Sequence, residues 1–513
     1  MSRFNLIDEK WIPVRFPDGN RDELGIRDTL LRAKEIAAIE DPSPLVVAAL
    51  HRFFLAVLYR ALEGPTDIDQ AKALFKGGFP DEKITSYLDK WRDRFWLFDE
   101  KYPFGQNPNV SKAQIEPWTK LTVEHNATSN KVLFDHTNTK QPGAKKPKEC
   151  ARWLLSTMTF SISGGRGYYP SPSPNAMMCI PLGRNFHDTL CYNLIPYPNR
   201  DVMCEDSALW EREIKTLPLS TPKLMASGYA DLYTWQARMI LLEQLQSGKV
   251  TTMRFTAGQG FENPSNNSDP MQPYKTDIER GKLPVQFRKA RGTWRDFDSL
   301  IPDSSDLAPL TVQNAFRLAK YKVGSNPESM LVLGLKYEPP SANVDFWRME
   351  QFILPVALAD DKFLRSDIRK FLDIAEDAGQ SLRSSLWKFQ RHILVRNERK
   401  SEDDLRKEER VLLNKMVDAL GHLQQYWSTL ESCFHRVLGD YTLGQDPEDI
   451  RYRWIKFVRD AVKTAWEQHS ASVSTGDAWA IRALVKAERP VRRKLAELSD
   501  EITILEPQKE KKA

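Results

Sequence analysis

Cysteine is scarce and unpatterned in this chain. Its five residues, Cys150, Cys179, Cys191, Cys204 and Cys433, include no CxxC pair. An odd number at loose spacing excludes a disulfide framework and a zinc ribbon, and makes a reducing cytoplasm the expected compartment. Long apolar runs are missing too. No uninterrupted stretch approaches the ~18 apolar residues of a membrane span, so no membrane partner is expected. The opening MSRFNLIDEKWIPV lacks a basic segment followed by an apolar one, so no secretory signal is expected. Nor does charge of one sign dominate: 74 Lys and Arg face 69 Asp and Glu, a net charge of +5. Such a balance does not prove nucleic-acid binding, and basic patches have to be located by position.

Catalytic signatures are equally thin. The sequence holds no GxxxxGK[ST], no HExxH and no GxSxG. Gly258-Gln259-Gly260 is a lone GxG in a polar loop, outside any βαβ unit. His187-Asp188 spells the dyad of metal-dependent phosphohydrolases, but the further ligands such a site needs are scattered, and the dyad reads as a solvated pair at a helix start. Asp135-His136 is either an acid–base pair or a hydrogen-bonded pair in a loop. No catalytic residue, metal ligand or cofactor is assigned. The enzymatic alternative is a cryptic metal-dependent nuclease built on Asp135, His136 and His187.

What is present is length and aromatic bulk. The 513 residues are 41% apolar, with 14 Trp and 24 Phe, enough for two or three cores. Phe4 to Val14 followed by Pro17-Asp18-Gly19-Asn20 predicts a β-hairpin. Apolar residues at helical spacing predict a helix over 43–63, stopped by Gly64-Pro65, with further helices over 81–95 and 149–160. Mixed short strands and Pro/Asn-rich loops run to about 355. Beyond that the pattern simplifies to amphipathic stretches at about 360–395, 402–438, 447–470 and 477–503. The fold class is therefore α+β: a mixed domain over 1–355, a four-helix bundle over 360–505, and a disordered tail over 506–513.

Three stretches have the chemistry of nucleic-acid contact. Residues 130–148 set Phe134, Asp135 and His136 beside Lys140, Lys145, Lys146 and Lys148; the segment is either a solvated surface loop or one that stacks on bases and attracts phosphates. Gly164-Gly165-Arg166-Gly167 lets a backbone approach a ligand closely, and is otherwise an ordinary turn. Residues 280–295 gather Arg280, Lys282, Arg288, Lys289, Arg291 and Arg295 around Trp294, either a phosphate-binding stripe or a solvated face.

The segment Phe4-Asn5-Leu6-Ile7-Asp8-Glu9-Lys10-Trp11-Ile12-Pro13-Val14 resembles the start of the CasA family, the large subunit of the type I-E CRISPR Cascade complex. Phe95-Trp96-Leu97, Pro103-Phe104-Gly105-Gln106 and Leu133-Phe134-Asp135-His136 resemble it as well. The resemblance implies a DNA-binding protein rather than an enzyme. It would recognise the PAM, the short motif flanking the target, in double-stranded DNA from the minor groove, promote strand separation for guide RNA pairing, and recruit a helicase–nuclease. It implies other Cascade subunits, guide crRNA and double-stranded target DNA as partners. By the same resemblance Gly164, Gly165, Arg166 and Gly167 form the glycine loop, Lys249 or its rival Arg254 is the groove cation, and Ser341, Ala342 and Asn343 form a strand-separating wedge after the strand Met330–Gly334. Phe134 belongs to a loop near the guide RNA handle. The missing CxxC means that no structural zinc is expected. The other alternative is a structural scaffold that binds guide RNA and protein partners without reading DNA.

Overall fold

The computed structural model describes residues 3–125, 135–164, 167–214, 222–262, 269–279, 281–302, 307–321, 329–339, 343–355, 362–395 and 405–510, the side chains of 362–363 and 507–510 excepted. The chain divides into two compact units, residues 1–289 with 299–352, and residues 290–298 with 353–513.

The first unit is built around the helix Pro44–Leu62. Ser43 caps it, its Oγ accepting from Val46 N at 3.1 Å. The chain leaves at Glu63, in the left-handed conformation. Nearly every side chain of this helix is buried, as an all-round apolar helix must be. By length and composition it could cross a membrane, although His51, Arg52 and Arg60 interrupt its apolar run. Its apolar window is 94% buried inside the fold.

Phe53 of this helix meets Trp11, Phe104 and Trp210, with ring centroids 6.1, 5.9 and 5.6 Å away. Of the segments that carry the family resemblance, residues 4–14, residues 95–97 and Phe104 converge here. Leu6 N donates to Phe95 O and Leu97 N to Phe4 O, each at 2.9 Å. Trp11 Nε1 donates to Leu6 O at 2.8 Å. These segments are therefore a structural pin. Residues 4–7 form only an isolated bridge, Asn5 to Trp96, while the expected hairpin pairs Ile12–Arg15 with Arg21–Leu24.

Three small antiparallel sheets surround this core: 21–24/12–15/38–39, 344–353/329–337/178–182 and 115–117/250–257/238–244. The helix expected over 81–95 spans Asp81–Lys90 and gives way to a 3₁₀ turn, and that expected over 149–160 begins at Pro147. The segment His187-Asp188 is not solvated: the helix Phe186–Asn193 is buried throughout.

The second unit is helical, as the periodicity requires, but two of its four stretches are broken. The helices are Lys362–Leu394, Lys407–Ala419, His422–Thr442, Pro447–Ser472, Ala478–Ala487 and Arg489–Glu510. The second stretch breaks at Gly421, whose φ of +75° ends one helix and opens the next. The last helix runs on to Glu510, into the expected tail; residues 511–513 lie outside the described residues.

Residues 290–298 belong to this unit rather than to the mixed domain. Trp294 is 1% exposed, and its ring centroid lies 5.3 Å from Phe434 and 6.0 Å from Trp427.

Candidate nucleic-acid interface

The hairpin of strands Arg238–Gln244 and Val250–Ala257 organises the candidate residues. At one end stands Arg238, 7% exposed. Its guanidinium donates to the carbonyls of Tyr169, at 2.6 Å, and Ile162, on the two sides of the glycine segment, and to Ala237 O at 2.7 Å. Its Cζ also lies 5.1 Å from the Tyr168 ring centroid. Arg238 thus clamps the loop base, and burial pushes its pKa down to about 10. Gly167, at φ +84°, is exposed, and an added Cβ there would meet nothing within 4 Å. The backbone at Gly167 is therefore open to an approaching ligand. Gly164 N reaches Tyr168 O at 3.4 Å. Gly165 and Arg166 lie outside the described residues.

At the opposite end, the hairpin tip presents Lys249, exposed beside the turn Leu245–Gly248. The neighbouring Val250 exchanges both backbone hydrogen bonds with Lys145, at 2.8 and 2.9 Å. The structure thereby groups Lys249 with the 140–146 lysines. It stands about 20 Å, six residues of strand, from the clamp at Arg238.

The rival groove cation, Arg254, is committed elsewhere. It binds Glu243 across the strands at 2.7 Å and Ala113 O at 3.0 Å, so it ties sheet to loop and is withdrawn as a groove reader.

The basic loop is partly fastened down. The Lys145 ammonium lies 4.6 Å from the Trp118 ring centroid and 5.5 Å from that of Trp153. Those two rings stack at 4.7 Å, and Trp118 Nε1 donates to Gly143 O at 2.8 Å. Lys140, Lys146 and His136 remain exposed. Phe134 lies outside the described residues.

Asp135 does not pair with His136. Its Oδ1 accepts from Thr137 Oγ1 at 2.7 Å, and its Oδ2 stands 3.5 Å from His125 Nδ1. His187 is buried, bonded to Asp188 at 3.1 Å and Leu74 O at 3.2 Å. The nuclease trio Asp135, His136 and His187 therefore has no assembled site, and no cluster of potential metal ligands occurs among the described residues.

Two cations of the stripe at 280–295 are paired with carboxylates, while Arg280 lies outside the described residues. Arg291 pairs with Asp296 and, at 2.6 Å, with Glu376. Arg295 grips Glu376 at 2.7 and 2.8 Å while lying 3.4 Å over the Trp427 ring. Opposed charges in this geometry cement the helical unit, so Arg291 is withdrawn as a phosphate contact. Arg288 and Lys289 stay exposed. Gly258 is a packed turn, since a Cβ there would lie 2.4 Å from Gln236 O.

The strands Ser329–Tyr337 and Val344–Ile353 are neighbours in one sheet. Asn343 is exposed at the shoulder of their connection; Ser341 and Ala342 lie outside the described residues. Sequence reasoning missed Arg238, because an arginine opening an apolar strand carries no signal until the loop it clamps is known.

Comparison with known proteins bears on this arrangement. A curated CRISPR-associated protein CasA/Cse1 of Thermus thermophilus is 32% identical over 98% of this chain and 99% of its own length. A crystal structure of Thermus thermophilus CasA superposes with a TM-score of 0.82 at 29% identity, covering 97% of this chain and all of that one. A chain of a structure described as a CRISPR RNA-guided surveillance complex matches with a TM-score of 0.73 at 20% identity, covering 96% of this chain and 99% of that one. The model of the CRISPR-associated protein Cse1 family matches residues 5–465, and with the near full-length kinship to CasA/Cse1 this places the chain in the Cse1 (CasA) family of CRISPR-associated proteins.

Proposed function

We propose that this chain is the large, DNA-reading subunit of an RNA-guided surveillance complex. Together with the other subunits and a guide RNA it meets double-stranded DNA, reads a short flanking motif from the minor groove, and opens the duplex so that the guide can pair. It recruits the helicase–nuclease that degrades the target, and its own part is binding rather than catalysis. Family membership supports the assembly, and so does the likeness to a chain of a surveillance complex.

The observation that carries the DNA-reading role is the clamped glycine segment. Its ends are fixed on Arg238 while Gly167 faces open space. A rigid base under an unobstructed backbone suits contact with a groove about 6 Å wide, whose degenerate edge pattern tolerates several related motifs.

The test is binding of the reconstituted complex to matching duplex DNA, with the flanking motif intact or scrambled, at fixed salt. Lys249→Ala and Gly167→Asp are run beside the unsubstituted protein. Strong discrimination that Gly167→Asp removes sustains the reading. Equal binding of both duplexes by the unsubstituted complex replaces it with the scaffold role.

A further inference from the structure

A cavity of about 240 Å³ lies under the described part of the glycine segment, bounded among others by Lys120, Ser163, Tyr168, Arg238 and Phe255. The rings of Tyr168 and Phe255 are parallel within 13°, their centroids 6.3 Å apart. The Lys120 ammonium, held by Glu116 at 2.8 Å, stands 4.8 Å from the Phe255 centroid.

Two of its polar groups are left uncompensated. Arg238 is a buried cation bonded to three carbonyls, with no carboxylate among its described partners; buried charges are ordinarily paired. The Oγ of Ser163 is buried without a hydrogen-bond partner among the described residues, which is uncommon for a polar atom in a folded chain.

A cavity of about 150 Å³ already accommodates benzene, so this one has room for a nucleobase. An apolar guest would leave Ser163 and Arg238 uncompensated, and a bare phosphate would leave the rings uncovered. A guest that is planar, hydrogen-bonding and anionic meets all of these surfaces at once.

We propose that this cavity is a subsite for a single unstacked nucleotide, its base against Tyr168 and Phe255, its edge on Ser163, and its phosphate drawn to Arg238 and Lys120. The inference rests on the strand-opening reading for its source, since opening a duplex next to the glycine segment supplies such a base. A free nucleotide has the same chemistry.

The experiment is isothermal titration of the full chain with single-stranded (dT)6, thymidine monophosphate and inorganic phosphate at fixed salt. Tyr168→Phe, Tyr168→Leu and Ser163→Leu are compared with the unsubstituted chain, each checked for an unchanged melting profile. The expected result is (dT)6 binding that Tyr168→Phe keeps within about twofold. Tyr168→Leu weakens it roughly five- to a hundredfold, the factor carried by a lost base-on-ring stack, and Ser163→Leu, which fills the cavity, does the same. Thymidine monophosphate binding alone, with the same dependence, supports the subsite and assigns it a free nucleotide. No binding, binding indifferent to Tyr168→Leu and Ser163→Leu, or phosphate binding as well as (dT)6 overturns the subsite. Motif discrimination by the assembled complex is read separately. If it survives while the subsite fails, only the subsite falls; if the subsite binds while discrimination is absent, only the motif-reading role falls.

Discussion

Replacing Trp294 with alanine separates the two meanings that the 280–295 segment had as sequence. A tryptophan that stacks on a nucleic acid is held at the surface, and its loss lowers affinity without touching stability. Trp294 is instead 1% exposed, packed against Phe434 and Trp427 and edge-on to Trp454 at 6.3 Å. A buried aromatic side chain of this size covers roughly 150–250 Å², which at about 25 cal/mol per Å² gives ~4–6 kcal/mol. The unfolded chain already buries part of that area, and measured Trp→Ala losses run at about 3–5 kcal/mol. The helical unit should therefore lose about 4 kcal/mol. The assay is urea unfolding of the full chain, with hydrogen exchange of residues 362–510 to assign the transition to the helical unit. An unchanged transition, combined with salt-dependent loss of DNA affinity, would refute the packing assignment and restore the phosphate stripe.

The imidazole of His469 is buried with neither nitrogen hydrogen-bonded among the described residues, and burial pushes its pKa down to about 4. An imidazole depressed in the folded state gives stability that is complete above its unfolded value near 6.5 and is lost as pH falls toward 4, by ~3 kcal/mol at most; thermal midpoints of the helical unit should drop over that window and flatten in His469→Phe. Lys249→Ala should weaken binding of the assembled complex to duplex DNA and lower its salt slope by about one, with melting unchanged. Arg254→Ala should do the reverse, costing about 1 kcal/mol or less as its pairing with Glu243 goes, with DNA affinity preserved; equal loss of affinity in both variants would return Arg254 to the groove. Lys145→Ala should release the loop from Trp118 and Trp153, by about 1 kcal/mol, read as faster amide exchange over 135–146, and unchanged exchange there would dismiss the latch.

Much of the fold could be read in advance because its signals are local. The helix Pro44–Leu62 announced itself by apolar residues at helical spacing and by the Gly64-Pro65 stop, and the helical second half by its period. What misled was pairing at a distance. Nothing near Arg291 or Arg295 in the chain reveals Glu376, some eighty residues on, so these two cations looked like free charge. The helical breaks at Gly421 and after Ala487 fall inside continuous amphipathic patterns, and a period shows which face is buried without showing where the axis turns.

The site divides along the same line. Glycine density drew attention to the segment 164–167, and of its described residues Gly167 adopts a φ that other residues resist. The sequence could not say what holds that loop. A glycine-rich segment left to itself loses more conformational entropy on binding than any other, so the proposed reading role needs an external frame. Arg238 supplies it with one planar guanidinium that bridges the carbonyls of Ile162 and Tyr169, a geometry that a lysine ammonium cannot span. Arg238→Lys therefore keeps the charge and loses the frame. It should reduce motif discrimination while leaving motif-independent, salt-sensitive DNA binding in place, and a variant that kept full discrimination would make Arg238 a charge contact instead of a clamp.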